Sequence, residues 1–224
     1  MKRPDKSDLI KDIIIGMSDG LTVPFALTAG LSGVLSTNHL IVVSGLSEIA
    51  AGCISMGLGG YLAGESELDH YNTALQNEYH EIDRTPDSEL KEVQDILLDL
   101  GIEENLSRAA ALQISKDRDR WADFMMKLEL KLEQPSRHRA AKSAGTIALS
   151  YLTGGFIPLF PYILFHDSRT GFYASCGVTI LALVLFGYFR STMTGQPVAK
   201  GTFKMTVTGI VAAASAYLLA KAVS

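Results

Sequence analysis

Residues 143–165 read SAGTIALSYLTGGFIPLFPYILF and contain no Asp, Glu, Lys or Arg. The next stretch, residues 170–189 (TGFYASCGVTILALVLFGYF), is equally free of those four residue types. A bilayer core about 30 Å thick is crossed by roughly 20 residues of helix, and both stretches reach that length. These two stretches therefore predict membrane-spanning helices.

Three further apolar stretches bring the number of predicted spans to five. Among Asp, Glu, Lys and Arg, residues 38–64 contain only Glu48, and residues 205–220 contain none. No part of the chain shows the alternating pattern of a β-strand. We therefore expect an all-α membrane protein with five transmembrane helices, near residues 12–36, 38–64, 143–165, 170–190 and 203–222.

A strongly charged segment separates the second and third predicted spans. Residues 65–134 hold 18 acidic and 8 basic side chains, a net charge of −10, whereas the whole chain carries −4. An acidic surface attracts cations and argues against nucleic acid as a partner. The segment predicts a cytosolic insertion of three helices, one continuing from the second span to about residue 83, one over 85–101 and one over 102–134. We expect three regions: residues 1–64 with the first two spans, 65–136 as an acidic helical domain, and 137–224 with the last three spans.

Basic residues near the spans indicate how the chain crosses the membrane. The N-terminus carries Lys2, Arg3, Lys6 and Lys11, whereas the turn at 35–39 carries no basic residue. Lys and Arg gather in cytosolic connections, and basic-rich and basic-poor connections alternate here as five spans require. We expect the N-terminus and the acidic domain in the cytosol and the C-terminus on the opposite, lumenal side.

Two carboxylates stand inside the predicted spans, Asp19 in the first and Glu48 in the second. An ionised side chain at mid-bilayer costs roughly 3 kcal/mol on insertion scales and generally has a function. Pro24 has no N–H, so the carbonyl of Gly20 next to Asp19 loses its helical hydrogen bond. Met56 adds a thioether on the second span, and carboxylate, carbonyl and thioether together suit a borderline divalent metal. Asp19, Glu48 and Met56 are therefore predicted to form a metal site inside the membrane.

Paired glutamates on successive helices predict a metal site in the acidic domain. Two E-x-x-E pairs occur, and residues three apart on a helix share a face. The third predicted helix adds two methionines and a glutamate within little more than one turn. Inward-facing glutamates from several helices bind metal in ferritin-like proteins. The predicted ligands are Glu78, Glu81, Glu89, Glu92, Met125, Met126 and Glu129.

Each of these residues also has a plainer explanation. A single E-x-x-E pair is more often part of a solvated acidic surface, and Met56 alone would be a packing residue. Asp12, beside Lys11, would equally serve as an anchor at the membrane interface. Cys53 and Cys176 fall inside predicted spans without CxxC or Cys/His spacing, so they are interpreted as small packing residues.

Three long motifs carry a family resemblance. Residues 11–33 read KDIIIGMSDGLTVPFALTAGLSG, residues 47–71 read SEIAAGCISMGLGGYLAGESELDHY, and residues 154–162 read GGFIPLFPY. Through these motifs and the acidic insertion, the chain resembles the vacuolar iron transporter family, and its plant-type members in particular, over nearly its whole length.

The resemblance implies a secondary transporter in the vacuolar membrane, a metal/proton antiporter and not an enzyme. Such proteins move cytosolic ferrous iron, and in some cases manganese, into the vacuole in exchange for protons. The resemblance also implies a homodimer with the transport pathway between its subunits, and the family's pathway residues match Asp19, Glu48 and Met56. Fe²⁺ would be the transported ion, Mn²⁺, Co²⁺ and Zn²⁺ are further candidate ions, and no organic cofactor is expected.

Two other classes of function stay open on the sequence. One is a membrane-anchored ferroxidase, and the other is a metal-sensing or metal-storing protein; both would use the glutamate cluster. Neither needs a carboxylate deep in the first span, and Asp19 therefore favours the transporter. ATP-driven pumping has no support, because the chain lacks the G-x-x-x-x-G-K-[ST] phosphate-binding motif.

Overall fold

A computed structural model describes residues 6–35, 37–136 and 138–223, and within these ranges every regular element is an α-helix. Lys2 and Arg3, which contributed to the predicted orientation, lie outside the described residues. The helices are α1 (Lys6–Ser32), α2 (Asn38–Arg84), α3 (Pro86–Asp99), α4 (Glu104–Ile114), α5 (Arg118–Leu128), α6 (Arg139–Leu164), α7 (Ser168–Thr194) and α8 (Val198–Val223). The predicted all-α fold is confirmed.

Five of these helices, α1, α2, α6, α7 and α8, are long and apolar enough to cross a membrane, as the sequence predicted. The first ends earlier than expected, at Ser32 instead of residue 36. Its end is a tight turn in which the backbone N–H groups of Gly33 and Val34 bond to carbonyls three residues back, at 3.1 Å each.

Helix α2 is far longer than a bilayer requires. Its 47 residues span about 70 Å, whereas the apolar part over residues 38–64 alone covers about 40 Å. The charged half that follows, from Glu65 onward, therefore extends beyond the membrane-spanning segment. By its internal contacts the chain forms two compact units, Met1–Leu62 with Ala140–Ser224 (the spanning unit) and Ala63–Arg139 (the acidic unit).

Glycines allow the helices of the spanning unit to approach closely. A Cβ at Gly20 of α1 would overlap the Tyr151 carbonyl of α6, and a Cβ at Gly52 of α2 would overlap the Tyr151 ring. Without a hydrophobic force between helices in lipid, small residues of this kind bring backbones into van der Waals contact. Tyr151 is thereby held between α1 and α2, and it is only 2% exposed.

The acidic unit has its own hydrophobic core, in which the last turns of α2 pack with α3, α4 and α5 around Val93 and Trp121. The prediction of one helix over 102–134 is wrong, because α4 ends at Ile114 and α5 ends at Leu128. Asp117 starts α5 as its N-cap: its carboxylate accepts from the backbone N–H groups of Asp119 and Arg120 at 3.1 and 3.2 Å. A capping aspartate offers the backbone an alternative to continuing the helix.

Two candidate metal sites

The first candidate site is formed by α2 and α3 in the acidic unit. Glu78 is 2% exposed and Glu89 is 5% exposed, which is unusual burial for glutamate. Carboxylate oxygens of Glu78, Glu81 and Glu89 all lie within 4.8 Å of one another. This spacing is close to that of oxygens sharing one divalent cation, whose bonds to oxygen are about 2.0–2.6 Å long.

The carboxylates of this site repel one another. Burial first, and then the charges of Glu129, Glu89, Glu81 and Glu92, raise the pKa of Glu78 to about 8. Burial and the charge of Glu92 are the leading causes that raise the pKa of Glu89 to about 7. The pKa of Glu129 is raised by burial, Glu92 and Glu81. The structure therefore brings all five predicted glutamates within electrostatic range of a common centre, and we name these five residues the glutamate cluster.

Two oxygens of the cluster have unmet bonding capacity. Glu78 Oε1 and Glu89 Oε2 are buried without a hydrogen-bond partner among the residues that the structure describes. A buried carboxylate oxygen without a donor or counter-charge is costly. A divalent cation would satisfy these oxygens and neutralise the repulsion, so the donor set fits such an ion.

The two predicted methionine ligands have different surroundings. Met125 and Met126 are both fully buried on α5. Met125 packs in the hydrophobic core with Val93 and Trp121, so packing alone accounts for its position. Glu129 follows one turn later as the C-cap of α5. Metal ligation by either sulfur stays a prediction.

Arg118, which the sequence analysis did not single out, fastens the start of α5 to α2. Its guanidinium lies 4.4 Å from the centroid of the Tyr79 ring, and its Nε donates to Asp83 Oδ1 at 3.1 Å. The Tyr79 hydroxyl in turn donates to Asp119 Oδ1 at 2.9 Å. These contacts fix the helix that carries Glu129 beside the helix that carries Glu78.

The second candidate site lies in the spanning unit, around Tyr151. The Tyr151 hydroxyl donates a hydrogen bond to Glu48 Oε1, which joins α6 to α2. Asp19 of α1 also interacts electrostatically with this hydroxyl. The structure therefore places Glu48 of α2 in contact with Tyr151 and Asp19 of α1 within electrostatic range of it. Tyr151 was not predicted from the sequence. It could have been identified as a phenol in a span without acidic or basic residues, because a buried hydroxyl there needs a hydrogen-bond partner.

Sulfur donors on α2 accompany the carboxylates of Asp19 and Glu48. Met56 stands two turns after Glu48, and Asp19, Glu48 and Met56 are all half-buried in the single chain. The Cys53 thiol is also within electrostatic range of Tyr151, and it donates to the carbonyl of Ala50 at 3.3 Å. The arrangement offers carboxylate oxygen and sulfur to an ion, together with one phenol that can hold a carboxylate in place.

The model of the VIT family matches residues 10–221, which is nearly the whole chain. The chain belongs to the VIT family. The family resemblance inferred from the three sequence motifs is confirmed.

Named relatives in the VIT family agree with this assignment. The chain is 47% identical to vacuolar iron transporter 1 of Tulipa gesneriana over 217 residues, covering 97% of this chain and 88% of that relative. It is 46% identical to vacuolar iron transporter 1 of Arabidopsis thaliana over 216 residues, covering 96% and 86%. It is also 39% identical to protein CCC1 of Saccharomyces cerevisiae over 224 residues, covering 95% and 68%.

Proposed function

We propose that this chain moves ferrous iron from the cytosol into the vacuole in exchange for protons. The observation that carries the proposal is the hydrogen bond between Tyr151 and Glu48, with Asp19 within electrostatic range of the same hydroxyl. Residues 13–32 and 38–64 contain no other Asp, Glu, Lys or Arg. Ionisable groups inside a membrane generally mark ion pathways. The relatives named vacuolar iron transporter supply the ion and the organelle.

Exchange follows from competition for the same carboxylates. An isolated negative charge is costly in a low-dielectric interior, so a carboxylate there binds either a proton or a cation. Iron entering from the cytosol displaces protons from Asp19 and Glu48, and protons from the acidic lumen later displace iron. Tyr151 holds Glu48 through its hydrogen bond while the bound species changes.

The donor atoms favour some metals over others. Asp19 and Glu48 supply oxygen and Met56 supplies thioether sulfur, a mixture that suits Fe²⁺, Mn²⁺ and Co²⁺ better than Cu(I). Mg²⁺ and Ca²⁺ prefer all-oxygen sites and gain little from a thioether. Manganese is therefore the second proposed substrate.

The acidic unit acts as a cytosolic capture site in this proposal. Its net charge of −10 over residues 65–134 raises the local concentration of divalent ions. The glutamate cluster then binds them, with Fe²⁺, Mn²⁺, Co²⁺ and Zn²⁺ as candidates and Met125 and Met126 as possible sulfur ligands. Ions bound there are released to the pathway.

A homodimer would complete the pathway. Asp19, Glu48 and Met56 are each only half-buried in one chain, which supports a route lined by two copies and not by one. The N-terminus and the acidic unit face the cytosol and the C-terminus faces the lumen in this arrangement.

One observation favours a second candidate function. The buried carboxylates of Glu78 and Glu89 and the adjacent carboxylate of Glu81 would bind iron without any transport step. A metal-storing or sensing protein, or a ferroxidase that uses oxygen as its oxidant, would need this cluster and would leave Asp19 and Glu48 without a role.

Uptake into sealed vesicles distinguishes these functions. The full chain is reconstituted with an acidic interior, and entry of ferrous iron is followed after it is added outside. A transporter should accumulate iron inside, and dissipating the proton gradient with an ionophore should slow this strongly. Iron that stays on the outer surface, or entry that ignores the gradient, would contradict the proposal.

A further inference from the structure

A chain of hydroxyl groups runs through the interior of the spanning unit, away from Asp19 and Glu48. The hydroxyl oxygens of Ser32 on α1 and Tyr162 on α6 lie 2.7 Å apart. The Ser175 hydroxyl on α7 lies near the Tyr162 hydroxyl, and it donates to the carbonyl of Pro158 at 2.7 Å. Tyr162 is 2% exposed and Ser175 is fully buried. We name Ser32, Tyr162, Ser175 and the neighbouring Thr179 the hydroxyl seam.

Both ends of the seam have polar atoms without partners. Thr179, one turn along α7 from Ser175, is fully buried, and its hydroxyl bonds to nothing within the described ranges. At the other end, Asn38 donates its amide to the Phe165 carbonyl, while its buried Oδ1 has no partner in the part of the chain that the structure places. Buried groups of this kind are usually satisfied by ordered water.

The proline in α6 frees a further acceptor, one helical turn before the Pro158 carbonyl that Ser175 contacts. Pro158 has no N–H, so the carbonyl of Gly154 loses its helical donor. Inside a membrane such a freed carbonyl must be satisfied by a neighbouring side chain or by water. Successive contacts of α7 lie progressively nearer the start of α6, because Gly171 packs against Tyr162 and Ser175 bonds to Pro158.

The seam is aligned with the Glu48–Tyr151 pair. Tyr151 and Tyr162 are eleven residues apart on α6, close to three full turns, so they share a face and lie about 16 Å apart along its axis. Both are buried. The Tyr151 hydroxyl therefore contacts Glu48 at one end of this face of α6, and the Tyr162 hydroxyl belongs to the hydroxyl seam at the other end.

We propose that the hydroxyl seam, with ordered water at Thr179 and at Asn38, conducts protons between the α1–α2 turn and Glu48. A proton enters at the Asn38 end, each hydroxyl passes on its own proton as it receives one, and one proton arrives at the Glu48 carboxylate. The seam contains hydroxyls and carbonyls but no carboxylate or thioether, so it suits protons and not a divalent metal. This inference rests on the proton exchange proposed above and gives the proton a route separate from the metal.

The test compares two fluxes of Co²⁺ through the full chain in the same sealed vesicles. The first is uptake driven by an acidic interior, and the second is exchange of labelled for unlabelled Co²⁺ at equal pH on both sides. The variants are Tyr162→Phe, which keeps the ring against Gly171, and Ser175→Ala. Thr208→Val is the control, because Thr208 on α8 is exposed and bonds only locally, to the Lys204 carbonyl at 2.8 Å.

In both seam variants, proton-driven uptake should fall on the order of a hundredfold, the low end of what loss of a proton-transferring group costs. Metal-for-metal exchange should stay at the parent rate, since it requires no net proton movement. The control should match the parent in both fluxes. Unchanged uptake in Tyr162→Phe would overturn the inference, and so would a parallel fall in both fluxes, which marks a structural role. A parent chain that exchanges Co²⁺ but ignores the pH gradient would instead overturn the proposed proton exchange itself.

Discussion

The acidic unit gathers five glutamates around one centre, whereas the spanning unit brings two carboxylates, Asp19 and Glu48, to one tyrosine. The cluster is crowded, and burial together with mutual repulsion raises the pKa of Glu78 to about 8. The Tyr151 site has few charges, and Tyr151 supplies its only described side-chain hydrogen bond to Glu48. The difference suggests that carboxylates serve two purposes in this protein. Many carboxylates together bind and retain ions, whereas two carboxylates bind an ion weakly enough to release it.

The largest expected effect is loss of translocation in Asp19→Asn. The amide keeps the shape of the side chain but carries no charge to exchange between proton and metal. Vesicle uptake of ferrous iron should be abolished at every iron concentration, while folding is retained. Asp8→Asn is the matched control, because Asp8 lies near the start of α1, where it pairs with Lys11 at 3.6 Å. Ordinary transport by Asp19→Asn would show that this carboxylate is not the exchange site.

Removal of the capture site should be milder. Replacing Glu78, Glu81, Glu89 and Glu92 with alanine should weaken uptake at low iron concentration yet leave activity at saturating iron, because the spanning site remains intact. A control with the same change in charge replaces the exposed acids Asp95, Asp99, Glu103 and Glu104. Uptake is measured against iron concentration for both variants. If the cluster variant were as inactive as Asp19→Asn at saturating iron, the cluster would belong to the pathway itself.

Metal selectivity should depend on Met56. Met56→Leu keeps the volume but removes the sulfur, and a thioether favours Fe²⁺ over hard cations. We expect Ca²⁺ in roughly hundredfold excess to compete poorly with iron in the parent, because Ca²⁺ prefers all-oxygen ligands. The same excess of Ca²⁺ should compete better in the variant. Competition by Ca²⁺ equal to that by Fe²⁺ in the parent chain would refute the assigned donor set.

The smallest expected effect concerns the stability of the metal-free acidic unit. The ordinary pKa of glutamate, 4.5, is raised in the folded state to about 8 for Glu78 and about 7 for Glu89. As pH rises above 4.5, the unfolded chain releases these protons first, so the free energy of unfolding should fall with rising pH until about pH 8. Thermal unfolding with a chelator present, followed by the fluorescence of Trp121, measures this.

Glu78→Gln supplies the control for that pH dependence, because a buried amide has no charge to release. At pH 8 the variant should have a Tm higher by on the order of 5 °C than the parent, and near pH 5 the two should converge. Trp121 is the only tryptophan in the chain, so the signal reports on the acidic unit. A parent Tm that rises from pH 5 to pH 8 would contradict the assigned repulsion.

The sequence indicated the five apolar helices correctly because lipid imposes a composition that is visible without any structure. The glutamate pairs could also be predicted from their spacing, since residues three apart share a helix face. The break between α4 and α5 was not, because Asp117 had to be recognised as a cap inside a helical pattern. Tyr151 was missed because its bond to Glu48 joins residues 103 positions apart, and no local pattern reports such a contact.

The central claim, exchange of metal for protons at Asp19 and Glu48, is tested most directly by following both ions in one experiment. Ferrous iron is added outside sealed vesicles that contain the full chain and a pH-sensitive dye, with no pH gradient imposed. We predict that iron entry drives protons out, so the interior becomes more alkaline in step with uptake, and that Asp19→Asn shows neither signal. Iron entry without any change of interior pH would contradict the account.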